Sequence, residues 1–281
     1  MGRAGGFFRI LRPVNSVMMG LSILVGVTMA GGFTVGVPLT ALALAFVTGL
    51  TLTGSAMVIN DYYDREIDAV NEPGRPIPGG EVKPNEAVTY SLVLSAVGLA
   101  AAYLTSVQSL AIAAFSWLLM MIYSAWGKRT GFLGNLMVST CIGLPFIYGG
   151  VIAGNTSTSL LFSALAFLSN TGREVTKGIV DIEGDGARGV KTIAVSYGAD
   201  KAAYLASAFF IVAAAASILP IILNQVTWWY MPFVAVTDAG LIYGAVTLLR
   251  DHSREKSRKV KNQILCWMLF GLLAFAAGTL L

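Results

Sequence analysis

Residues 38–68 read PLTALALAFVTGLTLTGSAMVINDYYDREID. The first 22 of them, Pro38–Ile59, carry no charge, and five of the next nine do. An apolar run of about 20 residues is long enough to cross a bilayer as a helix. The stretch therefore predicts a membrane-spanning helix that emerges directly into a cluster of carboxylates.

The rest of the chain agrees with that reading. Of 281 residues, 56% are apolar and only 12% are charged, against roughly 25% charged in an ordinary soluble domain. The mean hydropathy is +0.71. These figures exclude disorder, a coiled coil and a water-soluble enzyme. Cys141 and Cys266 lie far apart in apolar runs and His252 stands alone, so neither a disulfide framework nor a zinc site is expected.

Nine spans are expected, at about 14–33, 38–59, 87–105, 109–126, 132–153, 159–171, 202–223, 228–249 and 264–281. The sixth is short and is expected to continue into the polar segment after it. The connections alternate: 31–36, 106–109, 154–159 and 224–227 are uncharged, and the other five hold all 19 Lys and Arg. The positive-inside rule places the N-terminus and those loops in the cytoplasm and the C-terminus outside. The first span is too long for a signal-peptide core and is read as retained. Fourteen of the 15 acids share the basic side, and Asp238 alone falls within a span. Polar groups confined to one face suit chemistry at that surface better than a transport path, which needs them at the midplane.

Asp61, Asp64 and Asp68 are spaced i, i+3, i+7, so on a continuing helix they share a face. Nothing basic is expected on that stripe, because Arg65 points elsewhere. Three such carboxylates repel one another unless a cation joins them, and oxygen ligands without His or Cys point to Mg²⁺. A second cluster, Glu174, Asp181 and Asp185, is spaced i, i+7, i+11, again one face of a continuing helix. Each cluster alone also fits a solvated helix end. The first follows span two and the second span six, and each precedes a Gly-containing basic loop, at 75–80 and 188–192. That offset suggests a duplicated four-helix unit (about 14–126 and 132–249) with a ninth helix added at about 264–281. The expected fold is thus an all-α integral membrane protein, one domain over 1–281, with both patches facing a central lipid cavity. Magnesium on carboxylates commonly holds phosphate oxygens. The reading is two Mg²⁺ bridging a lipid diphosphate, with Arg75, Lys128 and Lys191 from three loops as its basic partners.

Several motifs, in order, resemble the UbiA-type intramembrane prenyltransferase superfamily over nearly the whole chain. They are Arg12-Pro13-Val14-Asn15, NDYYDREID at 60–68, NEPGRPIPGG at 71–80, GKRTGFLGN at 127–135, REVTKGIVDIEGD at 173–185 and GVKT at 189–192. The segments at 123–135 and 173–192 look like the branch that adds the second geranylgeranyl chain in archaeal lipid synthesis. The chlorophyll-synthase-like branch, with a tetrapyrrole or aromatic acceptor, is the alternative. Glu174 stands where many relatives carry Asp, and Gly79 where Ser is usual.

The resemblance implies transfer of a geranylgeranyl group from its diphosphate to the hydroxyl of geranylgeranylglyceryl phosphate, by ionisation. It implies metal binding by Asn60, Asp61, Asp64, Asp68, Glu174, Asp181 and Asp185. Arg75, Lys128 and Lys191 would clamp the diphosphate, and Asn15 and Asn135 would contact the head group. Tyr148 would offer a π face or hydroxyl to the allylic cation, or simply pack. The expected partners are an isoprenyl diphosphate, a lipid acceptor and the bilayer, with no nucleic acid and no obligate protein partner. From outside the family, a transporter would need more midplane polar groups than Asp238, and a CDP-alcohol phosphotransferase would need a DGxxAR signature.

Overall fold

The protein is described by a computed structural model covering residues 3–280, less the side chains at 33, 34 and 71. Met1, Gly2 and Leu281, which the expected domain and ninth span include, lie outside the described residues. Among the described residues every regular element is helical. In chain order the helices are α1 (Arg3–Ile10), α2 (Pro13–Met29), α3 (Gly32–Val35), α4 (Leu39–Asn71), α5 (Pro84–Thr105), α6 (Val107–Ala125) and α7 (Phe132–Ile152). They continue as α8 (Thr156–Val180), α9 (Ile182–Ala187), α10 (Ile193–Tyr197), α11 (Ala199–Ala216), α12 (Leu219–Ile222), α13 (Tyr230–Arg250) and α14 (Arg254–Leu280).

Seven of these are long and apolar enough to cross a membrane, and eight if α1 and α2, bent by 41°, count as one span. Large apolar side chains such as Leu104 (69% exposed) and Val14 (71%) line the outside, as lipid-facing surfaces do. This is a multi-pass membrane protein. The sixth expected span corresponds to α8, which runs from Thr156 through to Val180. Its buried face carries Ser159, Ser163, Ser169, Asn170, Thr171 and Thr176, and small polar residues of that kind let helices approach closely. Those same residues keep α8 out of the apolar set. The basic run expected as a loop before the ninth span is instead helical, since α14 begins at Arg254. Lys, Arg and Glu are good helix formers, and the charged turns extend the helix beyond its apolar part.

The chain divides into two compact units. The first comprises Met1–Val27, Gly32–Ala125 and Leu144–Gly154; the second comprises Thr28–Gly31, Trp126–Gly143 and Asn155–Leu281. In the first, Ile10 of α1 is fully buried with Val58, Ile77, Val82 and Ala87. Burying one such side chain is worth about 1.5–3 kcal/mol, which holds the short α1 against α4 and the segment after it. Gly6 reinforces that seat, because a Cβ there would meet Glu81 and Val82. Helix α5 starts at Pro84, and the Lys83 N–H donates to Glu86 Oε2 at 3.0 Å, the glutamate half of a capping box. In the second unit, Val175 and Ile179 of α8 join Ala202, Ala206 and Phe210 of α11, Leu241 and Leu248 of α13, and Val260 and Ile264 of α14 in one core.

Candidate active site

Helix α4 runs unbroken to Asn71, so Asp61, Asp64 and Asp68 do share a helical face. Asp61 and Asp68 are buried, at 4% and 6% exposure. The stripe is not free of cations, which corrects the sequence expectation. Arg12 donates through Nη2 to Asp61 Oδ1 at 2.6 Å. Arg75 donates through Nη1 to Asp68 Oδ2 at 2.6 Å and to Asp61 Oδ1 at 3.3 Å. The cause is the turn after α4: the Glu72 N–H bonds to Asp68 O, the Arg75 N–H to Glu72 O, and the chain doubles back to bring Arg75 onto the acids. Arg65 does point away, lying over the Tyr62 ring at 4.6 Å. Asn60 donates through Nδ2 to Asp64 Oδ2 at 3.0 Å.

Arg12 has a left-handed backbone, φ +47°, which costs a non-glycine residue of order 1–3 kcal/mol. Its ion pair with Asp61 holds it there. An open cleft of 430 Å³ adjoins it, lined by Arg9, Arg12, Asp61, Glu72, Gly74, Arg75 and Pro76. Asn15 lies exposed in the first turn of α2.

The second patch is built differently. Helix α8 stops at Val180, Asp181 takes φ −105° and ψ 14°, and α9 begins at Ile182. The expected continuing helix is therefore interrupted at Asp181, whose backbone leaves helical geometry. Backbone bonding still crosses the break, from Asp181 N–H to Lys177 O and from Asp185 N–H to Asp181 O. Glu174 is buried and accepts from Arg173 Nη1 at 2.8 Å and Lys177 Nζ at 3.4 Å. Asp181 and Asp185 are half-buried. Burial pushes the Asp185 carboxyl above the usual carboxylate range and the negative Asp181 pushes it further, while Lys177 and Arg188 pull it back.

Two of the expected basic loops meet within this unit. Gly131, φ +67°, lies so close to the backbone of Lys191 and Thr192 that any Cβ would overlap the Lys191 carbonyl. The turn carrying Lys128 (Gly127–Arg129) is thereby seated beside the loop carrying Lys191. Thr192 caps α10 by accepting from the Val195 N–H at 3.2 Å and lies near Gly178 of α8. Lys128 and Asn135 are half-buried and Lys191 is exposed. Tyr148 is buried with Ile23, Ala45, Ala102 and Ala113, and its hydroxyl donates to Thr48 Oγ1 at 3.4 Å.

Among the described residues no three Asp, Glu, His or Cys side chains gather closely enough to enclose a metal ion. The oxygen donors of Asn60 with Asp64 and of Asp181 with Asp185 suit an ion that uses one or two carboxylates, waters and phosphate oxygens, which is the habit of Mg²⁺. Sequence reading missed Arg9 and Arg12 as neighbours of the first patch, and Arg254, whose Nε donates to Val180 O at 3.1 Å just before Asp181. The Arg12-Pro13 motif was a signal for the first pair. Arg254 is indistinguishable in sequence from the basic residues around it.

An all-helical membrane fold with two carboxylate patches and flanking cations defines a class, and the chain belongs to it: the sequence pattern of the UbiA prenyltransferase family matches residues 19–277. It is an intramembrane prenyltransferase. Among individual relatives, it is 35% identical over 275 residues to the digeranylgeranylglyceryl phosphate synthase of Methanothermobacter thermautotrophicus, covering 97% of this chain and 95% of that one. It is 37% identical over 275 residues to the enzyme of the same name from Methanopyrus kandleri, covering 98% and 99%. A solved structure of a digeranylgeranylglyceryl phosphate synthase superposes with a TM-score of 0.92 at 30% identity, over 99% of both chains. A UbiA homologue from Archaeoglobus fulgidus, bound to GPP and Mg²⁺, shares the fold at a TM-score of 0.72 and 18% identity, over 96% of this chain and 99% of that one.

Proposed function

We propose that this chain transfers a geranylgeranyl group from geranylgeranyl diphosphate to the hydroxyl of geranylgeranylglyceryl phosphate, forming the second ether bond of an archaeal membrane lipid. The observation that carries this is its identity, at about one residue in three along almost its full length, with synthases of that name. In the reaction the allylic C–O bond to the diphosphate breaks, the acceptor oxygen bonds to that carbon, and the hydroxyl proton is released.

Asn60 and Asp64 in one patch, and Asp181 and Asp185 in the other, are assigned to hold Mg²⁺, two ions in all, with Asp61, Asp68 and Glu174, each paired to a cation, as flanking members. Bound there, Mg²⁺ would supply positive charge to the departing diphosphate. Lys128, Lys191 and Arg75 would meet the phosphate-bearing ends of the substrates, and Asn15 and Asn135 would add neutral contacts to them. Tyr148 is assigned to the apolar tail, where its ring could face the allylic cation. With α8 counted as a crossing, the chain spans the membrane nine times as one prenyltransferase domain. The positive-inside rule puts the N-terminus and both patches on the cytoplasmic side and the C-terminus outside.

The test is product identification. Purified protein receives radiolabelled geranylgeranyl diphosphate, Mg²⁺ and a panel of acceptors: geranylgeranylglyceryl phosphate, aromatic acids and a chlorophyllide. Labelled diether phosphate from the first alone is the expected result. Prenylation of an aromatic or tetrapyrrole acceptor instead would overturn the assignment.

A further inference from the structure

The reaction proposed above has two phosphate-bearing substrates, and the lysines beside the second patch account for one of them. The cleft at the first patch offers a different set of groups. One wall is α1 and the residue that follows it, carrying Arg9 and Arg12; the other is the segment after α4, carrying Glu72, Gly74, Arg75 and Pro76. Both walls are fixed. Ile10 is fully buried under the cleft with Ile77 and Val82. Arg9 spans the gap, donating through Nη1 to Glu81 Oε1 at 3.0 Å and through Nη2 to Gly74 O. Asp61 holds Arg12 and Arg75 together from beneath, through one nitrogen of each.

A guanidinium has five N–H donors on three nitrogens. Among the described residues Arg12 makes its hydrogen bond through Nη2 only, and Arg75 makes its hydrogen bonds through Nη1 only. The Nε and the second Nη of both are uncommitted. Arg9, Arg12 and Arg75 stand among Asp61 and Glu72 of the lining and the Glu81 and Asp68 carboxylates that Arg9 and Arg75 bond, so what the cleft offers an anion is its uncommitted N–H donors rather than an excess of positive charge. Planar forks of this kind match the oxygens of a phosphate pairwise. The volume, 430 Å³, falls in the range of small-molecule sites, roughly 300–1,000 Å³, and would admit a glycerol phosphate head. A compact dianion held by arginines already braced on carboxylates loses little to side-chain ordering.

We infer that the cleft formed by Arg9, Arg12 and Arg75 binds the phosphate monoester of the lipid acceptor, and so selects acceptors that carry that phosphate. The inference rests on the proposed reaction for the acceptor's identity. The same chemistry could be met by the donor's diphosphate, and the experiment separates the two.

Full-length protein in detergent is assayed with geranylgeranylglyceryl phosphate and with geranylgeranylglycerol, which lacks the phosphate. For the wild type, removing the phosphate should lower kcat/KM about 10–100-fold, the value of charge-assisted bonds to a desolvated anion. In Arg9→Gln and Arg12→Gln the phosphorylated acceptor should lose most of that factor and the phosphate-free acceptor little, so the ratio falls toward one. The KM for geranylgeranyl diphosphate should change less than about threefold. An unchanged ratio in both variants would overturn the inference, as would a donor KM that rises as much as the acceptor KM. Arg9→Gln is the safer variant for folding, because Arg9 is exposed and paired at the surface.

A second readout needs no turnover. Labelling of Arg9 and Arg12 by phenylglyoxal, read by peptide mass, should be blocked by geranylgeranylglyceryl phosphate without metal or donor, and not by geranylgeranyl diphosphate. Should the wild type prenylate neither glycerol acceptor, the proposed reaction falls. Protection by the phosphate lipid would then still support the cleft, and its absence would sink the cleft.

Discussion

In the first patch the carboxylates at 61, 64 and 68 ride one unbroken helix, and two of them are buried against arginines at 2.6 Å. In the second patch the helix stops at Asp181, and the nearby cations Arg173 and Lys177 go to Glu174. Asp181 is left as a like-charged neighbour that raises Asp185. The first arrangement is held by ion pairs to buried acids. The second keeps the half-buried Asp185 beside the like-charged Asp181, a repulsion that Lys177 and Arg188 only partly offset and that a divalent cation would relieve. Clusters that look alike in sequence thus divide into residues that brace through pairs to arginine or lysine and residues assigned to the metal. In the first patch Asp61 and Asp68 brace and Asp64, beside Asn60, is the ligand candidate. In the second Glu174 braces and the other two are candidates.

The division is broken most directly by removing the ligand candidates. Asp64→Ala and Asp181→Ala should each lower kcat by roughly 10²–10³-fold or more, the scale of losing a group that stabilises departing charge. EDTA should reproduce the loss and Mg²⁺ restore it in the wild type only. Both variants should remain folded by circular dichroism. Wild-type turnover in either one would refute the metal assignment for its patch.

A smaller effect is expected from the bracing residue of the second patch. Glu174→Gln keeps size and an acceptor oxygen for Arg173, so turnover should fall about tenfold or less. The Mg²⁺ concentration for half-activity should rise by about tenfold or less, the low end of the range for losing a hydrogen-bonding partner beside a metal site. A loss as deep as that of Asp181→Ala would make Glu174 a ligand and erase the distinction between bracing and binding.

Much of this was legible in the residues. Span positions followed from uncharged runs and from basic loops that alternate with uncharged ones. Both clusters followed from helical spacing, and α8's continuation past its apolar part followed from its length. What was not legible depended on chain reversal. Nothing in the residues 72–83 says that Arg75 folds back onto Asp68, nor that Arg12, 49 positions from Asp61, completes that pair. The break at Asp181 was obscured by the regular spacing of the acids. Lys128 and Lys191 were expected to converge with Arg75 on a diphosphate; what the structure shows is their loops side by side, because Gly131, with no side chain, lets two backbones touch.

The like-charge pair of the second patch also predicts a pH signature. Burial and Asp181 raise Asp185 above its unfolded value. The fold therefore favours its protonated form. In EDTA the stability from this group should be fully present below the unfolded pKa of about 3.9 and lost as pH rises through the elevated folded value. Mg²⁺ binding needs the anion, so Mg²⁺ affinity should run the other way, weakening several-fold as pH falls through the same value. Thermal unfolding with and without Mg²⁺ across pH 4–7 measures both slopes. Asp185→Asn should flatten them; slopes that persist in that variant would place the titration elsewhere.

The smallest effect is expected at Asp238, the acid that the sequence places within a span. Asp238 in α13 accepts from Ser217 Oγ at 2.7 Å through Oδ2, while Oδ1 is buried with no partner among the described residues. Tyr230 donates to the Ser217 carbonyl at 2.9 Å, so the group ties the end of α11 to α13. The partner of Asp238 is thus a hydroxyl at the end of the neighbouring helix α11. A hydrogen bond between membrane helices is worth about 0.6–2 kcal/mol. Ser217 also reaches the Ala214 carbonyl at 2.7 Å, which cushions the loss when Asp238 is replaced. Asp238→Asn should therefore keep turnover within about twofold and its Mg²⁺ dependence intact. Asp238→Leu should lower the Tm by a few degrees, consistent with about 1 kcal/mol, with per-molecule turnover nearly unchanged. If a stable Asp238→Asn protein were inactive, carboxylate chemistry would extend beyond the two patches, and the contrast between them would no longer account for the enzyme's acids.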